Sequence, residues 1–442
     1  MTDYPAELPI ATWAGAPPVA AVRVPGSKSL TNRALIVAAM ADGPSVLSGA
    51  LDSEDTRVMV ESLRRLGIGV EHDPANAVIR VQGCGGTIPA STASLEIANS
   101  GTSLRFLAAM VAAGRGTYHL DGTARMRQRP VADLLAALNG LGADARSDLG
   151  TGCPPVTVRA DGLDGGFAFV KGDVSSQFLS GLLMTLPYAR DITTVEVQGV
   201  LVSQPYVTMT LAVMKDFGVL VENRKFRRFD VRPAHYRGRE YAVEPDASAA
   251  SYFFAVAAVT GGTITVEGLG KSSVQGDLGF VDVLEFMGCK VDRQPDRTTV
   301  TGGPLRAVDV DMNAMSDTVM TLGVVALFAE GVTRIRNVGH IRHKESDRIA
   351  AQAVELRKLG AEVEEQPDGL VINPPPAEHL HGASIATYDD HRMAMSFAVA
   401  GLRIPGVTIL DPGCVAKTYP GFWDDLARLR SGSERTPVQQ VE

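Results

Sequence analysis

Lysines, arginines, carboxylates and hydroxyls gather in six short clusters of this 442-residue chain, and each cluster stands just before an apolar run. One residue from each marks the series: Ser29, Thr102, Ser176, Ser248, Asp317 and Asp390, spaced 69 to 74 residues apart. Cations beside hydroxyls suit an anion, because Lys and Arg make charge-assisted hydrogen bonds to phosphate and carboxylate. Asp317 in one cluster and Glu345 in a dense charged run add groups that can accept or deliver a proton. The combination points to an enzyme acting on small anions.

Taken singly, each cluster also has a plain structural reading. Pro25-Gly26-Ser27-Lys28-Ser29, followed by Arg33, places two cations about a first helical turn. It is not a Walker A loop, since that motif needs Gly-Lys and another glycine where position 21 is Ala. Asn99-Ser100-Gly101-Thr102 lets backbone approach a ligand closely, or simply caps a helix. Arg125, Arg127 and Arg129 precede a helix begun by Pro130, where the dipole repels cations unless an anion intervenes. Ser175-Ser176-Gln177 offers more than a cap requires and suits a phosphate plus a sugar-like hydroxyl; Ser203 and Tyr206 form a further hydroxyl pair. Asp317 reads equally as an N-cap carboxylate. The run from His340 to Arg348 reads as a solvated helix face, Asp390-His391-Arg392 opens the sixth helix, and Lys417 precedes another. One such reading is acceptable; the same reading at every matching loop of a repeat is not.

The elements that must position these groups follow from the period. A fixed interval of about seventy residues signals a repeated supersecondary unit. A second series supports it: Gly67, Gly142, Gly218, Gly288 and Gly360 each follow the last apolar residue of a helix, the place of a left-handed C-cap. Alternating strands come next, as in Ala361 to Glu365 and Gly369 to Ile372. One unit reads helix, strand, helix, strand, strand, and the sixth is truncated at a helix near Phe422 to Leu429. Six helix N-termini aimed inward, each with about half a positive charge and free N–H groups, make an anion-binding cleft.

Composition bounds the rest. The length suits two or three domains, and two groups of three units fit better than one core. Forty-two basic against 50 acidic residues give a net charge of −8, which argues against a general nucleic-acid binder. Cys84, Cys153, Cys289 and Cys414 show no metal or redox spacing, so a reducing cytoplasm is expected. No secretory signal opens the chain and no apolar run is long enough to span a membrane. Residues 1–20 and the polar tail from Ser431 are expected to be loose.

The segments Gly26 to Arg33, Asn99 to Thr102, Arg125 to Pro130, Ser175 to Leu179, Lys344 to Arg348, Asp390 to Met395 and Ala416 to Thr418 together resemble the 5-enolpyruvylshikimate-3-phosphate synthase family, over roughly residues 20 to 425. The resemblance implies transfer of the enolpyruvyl group of phosphoenolpyruvate to the 5-hydroxyl of shikimate 3-phosphate, with phosphate released through a tetrahedral intermediate. It implies an α/β (α+β) fold of the inside-out barrel type. Two globular domains, 1–26 with 245–442 and 27–244, each hold three units whose helix N-termini face the cleft. Shikimate 3-phosphate would meet Lys28, Ser29, Arg33, Ser175, Ser176, Gln177, Ser203, Tyr206, Asp317, His340 and Lys344. Phosphoenolpyruvate would meet Lys28, Gly101, Arg129, Gln177, Glu345, Arg348, Arg392 and Lys417, a site that glyphosate occupies in this family.

Lys28, Asp317 and Glu345 are the implied catalytic groups, with Glu345 as acid at the methylene and Asp317 as base at the hydroxyl. Neither a metal nor a cofactor is called for, and the partners are small anionic substrates, with no nucleic acid or membrane, acting on a cytoplasmic monomer. Two positions depart from the family: His340 stands where Asn is usual, which implies pH-dependent phosphate binding, and Phe106 stands where Pro is common, which implies a shifted Gly101 turn. Like-charged domain faces imply a cleft that is open until an anion arrives. The alternatives are an enolpyruvyl transferase acting on a UDP-aminosugar, which typically has a cysteine in the Arg125 to Arg129 loop, and a six-unit DNA clamp.

Overall fold

The computed structural model describes residues 4–431. The repeated apolar runs are helices, Lys28–Met40, Gly101–Ala112, Ser176–Thr185, Ala247–Thr260, Val319–Ala326 and His391–Gly401, and nearly all their residues are buried. A helix apolar on every side must be enclosed by protein rather than lie on a surface. Six small sheets flank them, five of four strands and one of three. Helices inside and sheets outside give the expected inside-out arrangement.

Each unit carries one element more than the sequence reading gave it. A strand precedes the inner helix, and in four units it pairs in parallel with the strand after that helix, as Thr92–Glu96 does with Arg115–Asp121. The helix is the crossover that a parallel pair requires. These leading strands are short, and their residues are mostly exposed or half-buried, so they carry almost no apolar alternation to read. The helix-ending glycines behave as read: Gly67, Gly142, Gly218, Gly288 and Gly360 have φ between 82° and 113°, the left-handed region that stops a helix.

Buried apolar side chains fall into two clusters. One runs from Leu30 to Val243; the other takes Ile10 and Val24 together with Ala247 to Leu429. The chain passes between them at Gly26 and Pro245, which bridge each other in antiparallel fashion. Ser27 N–H donates to the Glu244 carbonyl at 2.8 Å, and Asp246 N–H to the Pro25 carbonyl at 2.8 Å. Only glycine fits at 26, since a Cβ would lie 1.9 Å from the Gly49 carbonyl oxygen. The leading strands cross here as well. Val19–Val22 runs on toward helix Lys28–Met40 yet pairs with Thr263–Glu267 of the other cluster; Glu240–Ala242 runs on toward helix Ala247–Thr260 yet pairs with Pro44–Ser48.

The N-terminal segment is not loose. Glu7–Pro9 pairs antiparallel with Thr408–Leu410 and completes the sixth sheet. That unit lacks its own closing hairpin, and the N-terminus covers the strand edge that would otherwise be free. The last helix runs Phe422–Ser431, and the polar tail beyond it lies outside the described residues. Among the described residues, no helix is long and apolar enough to cross a membrane.

Candidate active site

Five inner helices begin with a side-chain cap: Ser27, Ser100, Ser175, Asp246 and Asp390 each accept a first-turn N–H. The fifth inner helix is the exception. A 3₁₀ turn, Asn313–Thr318, leads into Val319–Ala326 and no side chain caps it. The Asp317 carboxylate is thereby released from capping. It accepts from Arg392 Nη2 at 2.7 Å, Arg348 Nη1 at 3.1 Å and Lys344 Nζ at 3.5 Å. Arg348 is only 1 % exposed, and it also donates to Glu345 Oε2 at 2.9 Å and, through Nε, to Asp390 Oδ2 at 2.8 Å. One guanidinium thus ties three carboxylates with its planar fork of donors.

These contacts set the charge states. Burial alone would raise the Asp317 carboxyl, but Arg392, Lys344, Arg348 and Lys28 together hold it well below the usual carboxylate range. Glu345 is likewise raised by burial and brought well below that range by Arg348, Arg129, Lys417 and Lys28. Lys344 is pushed down by burial, an effect that Asp317 opposes. Both candidate proton-transfer groups are therefore ionised while these cations face them.

The sequence-derived residues come together at one place. Lys28, Ser29, Arg33, Gly101, Thr102, Arg129, Ser176, Gln177, Tyr206, Asp317, Lys344, Glu345 and Arg348 line a single cavity. Ser175 caps the turn that presents Gln177. Arg392 supports Asp317, and Ser203 Oγ lies 3.0 Å from His340 Nε2. Lys417 Nζ donates to the Asn99 carbonyl at 2.9 Å and pairs with Asp55 at 3.0 Å; Asp55 also faces Lys28 Nζ at 3.6 Å. Of the three loop arginines only Arg129 enters the site. Arg127 pairs with Asp121 at the surface, while Arg125 reaches across to the Glu345 and Lys344 carbonyls at 3.0 Å each.

The two halves therefore meet, against the expectation of mutually repelling faces. The faces are not like-charged: Asp55, Asp277, Asp317, Glu345 and Asp390 stand among the cations. Cross-cleft bonds leave a cavity of only about 30 Å³, room for roughly one water. A second expectation also changes. His340 is pushed down to about 3, by burial first and by Lys344 next. It stays neutral at ordinary pH.

Asp55, Asn99, Arg105, Asp277 and Asp390 belong to the site's network but were not read as site residues. Arg105 Nη1 donates to Gln177 Oε1 at 2.9 Å and to the Gly101 carbonyl at 3.2 Å. A signal for two of the others lay in the sequence. Asp55, Arg129, Tyr206, Asp277, Arg348 and Lys417 recur 69 to 77 residues apart, and each stands at or just before its unit's second helix. Following the period onto that second series would have found Asp55 and Asp277.

A family model described as EPSP synthase (3-phosphoshikimate 1-carboxyvinyltransferase) matches residues 14–426. A Nostoc punctiforme protein named 3-phosphoshikimate 1-carboxyvinyltransferase is 50% identical over 406 residues, 91% of this chain and 95% of that protein. A chloroplastic protein of the same name from Arabidopsis thaliana is 49% identical over 428 residues, covering 92% of this chain and 82% of that protein. The solved EPSP synthase of Acinetobacter baumannii superposes with a TM-score of 0.80 at 26% identity, over 96% of this chain and 98% of that one. These matches span both apolar clusters and every cleft residue described above, and the chain belongs to the EPSP synthase family.

Proposed function

We propose that this chain transfers the enolpyruvyl group of phosphoenolpyruvate to the 5-hydroxyl of shikimate 3-phosphate. The 5-oxygen bonds to C2 of phosphoenolpyruvate while its methylene gains a proton, giving a tetrahedral intermediate. That intermediate then loses the same methyl carbon's proton and the phosphate, which restores the double bond. The observation that carries this reading is the joining of Asp317 and Glu345 through one buried guanidinium, Arg348, in a cleft lined with helix-start cations. Two carboxylates serve two proton transfers, and fixed cations stabilise the charge that develops between them.

The roles are those the family resemblance implies. Ser175, Ser176, Gln177, Ser203, Tyr206, His340 and Lys344 hold shikimate 3-phosphate beside Ser29 and Arg33. Arg129, Arg348, Arg392, Lys417 and Gln177 hold phosphoenolpyruvate against the Gly101 backbone. Once the substrate's carboxylate and phosphate draw those cations away, burial dominates at Glu345 and lifts its pKa. Glu345 then takes up a proton and delivers it to the methylene. Asp317 accepts the 5-hydroxyl proton, and Lys28 neutralises the bridging oxygen as phosphate departs.

Residues 27–244 and 1–26 with 245–442 are the two bodies that close on the substrates. The chain acts as a cytoplasmic monomer on small anions and needs no nucleic-acid, membrane, metal or cofactor partner. Neither a UDP-aminosugar nor DNA is favoured, since the Arg125 to Arg129 loop has no cysteine and the cations sit at helix starts. A phosphate-release assay tests the reaction: release must require both substrates together. Release from phosphoenolpyruvate with UDP-N-acetylglucosamine, and none with shikimate 3-phosphate, would overturn it.

A further inference from the structure

Asp277 is a buried carboxylate, 5 % exposed, that no part of the mechanism above employs. Its two oxygens accept from Tyr206 OH at 2.8 and 3.1 Å, and Ser248 Oγ–H donates to Oδ2. Among the described residues no cation forms an ion pair with it, in contrast to Asp55, Asp317, Glu345 and Asp390. Four elements face it: Tyr206 from the second helix of the third unit, Ser248 from the fourth inner helix, Asp317 from the fifth and Arg392 from the sixth. Tyr206 belongs to the Leu30 to Val243 cluster and Asp277 to the other half, so their bond crosses the cleft. Tyr206 also lines the substrate cavity.

A phenol oxygen carries one proton to give. While Asp277 is charged, Tyr206 must donate to it, and its oxygen can then only accept from whatever lies in the cavity. The phosphate and carboxylate of an anionic substrate offer acceptors and no donor, so toward those groups that polarity is wrong. With a proton on Asp277 Oδ1, the carboxylic acid donates to the Tyr206 oxygen while Oδ2 keeps the Ser248 bond. The tyrosine proton is then free to point at the substrate. We infer that Asp277 is a positioning residue that acts through Tyr206, holding a proton when the anionic substrate binds and so turning the tyrosine hydroxyl toward it. Burial, and then the Asp317 charge, push the Asp277 carboxyl up to about 6, which puts this proton within reach of ordinary pH. An arriving anion raises it further. The inference rests on the shikimate 3-phosphate reading above.

Titration calorimetry of shikimate 3-phosphate into the full chain, in two buffers of different ionisation enthalpy, counts the protons taken up. The substrate's own phosphate titrates near pH 6, so the difference between proteins is what is read. At pH 7.5 the wild type should take up about one proton more than Asp277→Asn. Its affinity should fall about fiftyfold more between pH 6 and 8, as uptake of one proton by a group with a free pKa of about 6 requires. Tyr206→Phe should show the same loss of uptake, and the double variant no further loss. Equal uptake by wild type and Asp277→Asn overturns the inference. If Asp277→Asn does not fold, unchanged uptake in Tyr206→Phe overturns it instead. A wild type that binds shikimate 3-phosphate and releases phosphate, yet shows no difference in uptake, fails this inference alone. A wild type that does neither fails the underlying reading.

Discussion

The guanidinium carbon of Arg33 lies 5.2 Å from the centre of the Phe106 ring. Arg33 is buried and donates to Thr210 Oγ1, the carbonyls of Ser29 and Tyr206, and Ser180 Oγ; among the described residues it forms no ion pair with a carboxylate. Burial pushes it down to about 10. The face of an aromatic ring partly replaces the missing anion. Phe106 sits within a regular helix whose first turn keeps its cap, Ser103 N–H donating to Ser100 Oγ at 3.2 Å. The ring simply fills space beneath Arg33. Phe106→Ala should cost about 3–5 kcal/mol of stability and raise KM for shikimate 3-phosphate. Denaturant unfolding reads the first effect and steady-state kinetics the second; a loss under about 1 kcal/mol would mean the site collapses around the gap.

Gly101 faces the cations assigned to phosphoenolpyruvate. A Cβ there would lie 2.4 Å from Arg129 Nη2 and 2.5 Å from Arg105 Nη1, so both guanidinium groups must move. Gly101→Ala should raise KM for phosphoenolpyruvate about tenfold, as expected for one disturbed charge-assisted bond, and weaken glyphosate inhibition at least as much. KM for shikimate 3-phosphate should change little. Unaltered inhibition by glyphosate would remove Gly101 from that part of the site.

Asp317→Asn and Glu345→Gln keep the shape of each side chain and remove its proton chemistry. Each should lower kcat by about 10² or more while the chain still melts cooperatively. Rapid-quench measurements separate the two steps. A variant with near-normal turnover would release that carboxylate from its assignment.

Titration of His340 bears on acid stability rather than on the pH dependence of substrate binding. Its folded pKa of about 3 lies below the usual value of about 6.5 in an unfolded chain. Between those values the unfolded state binds the extra proton, so stability present above pH 6.5 is lost as pH falls toward 3. His340→Asn should therefore be less acid-labile than the wild type by a few kcal/mol, roughly, at pH 4. Their shikimate 3-phosphate affinities should follow parallel curves from pH 6 to 8. Divergent curves would show that the imidazole titrates in the site.

Arg125 joins the halves without entering the cavity. Arg125→Ala removes its bonds to the Lys344 and Glu345 carbonyls and should shift the population toward open forms. Small-angle scattering should give a larger radius of gyration that saturating substrates reverse, with KM values raised more than kcat is lowered. An unchanged radius would leave Arg125 a surface contact only.

What the sequence made legible was periodic. Inner helices showed as wholly apolar runs behind polar markers, and helix-ending glycines marked where the second helix of each of the first five units stops. The leading strands were illegible because two to six residues, mostly exposed or half-buried, carry almost no apolar alternation. Site residues at helix starts were readable for the same reason the helices were. Asp277 and Asp55 were legible only in the second, offset series, because a carboxylate near a helix start taken alone is ordinarily a favourable dipole partner. Their neighbours across the cleft then set them apart from plain caps. His340's charge state was likewise beyond the sequence, as it depends on burial and on Lys344.

The joint at Gly26 and Pro245 is a ribbon of two hydrogen-bonded segments rather than a single tether. One tether lets two bodies swivel freely, but paired segments bend across their common plane and resist torsion. In the proposed closure, such a joint favours a single axis of swing. Lys28 lies two residues from Gly26, and its own N–H donates to Asp246 on the far side at 3.0 Å. On that reading it travels less than cations farther from the joint, so a ligand held there is already near the pivot and closing carries the other cations to it.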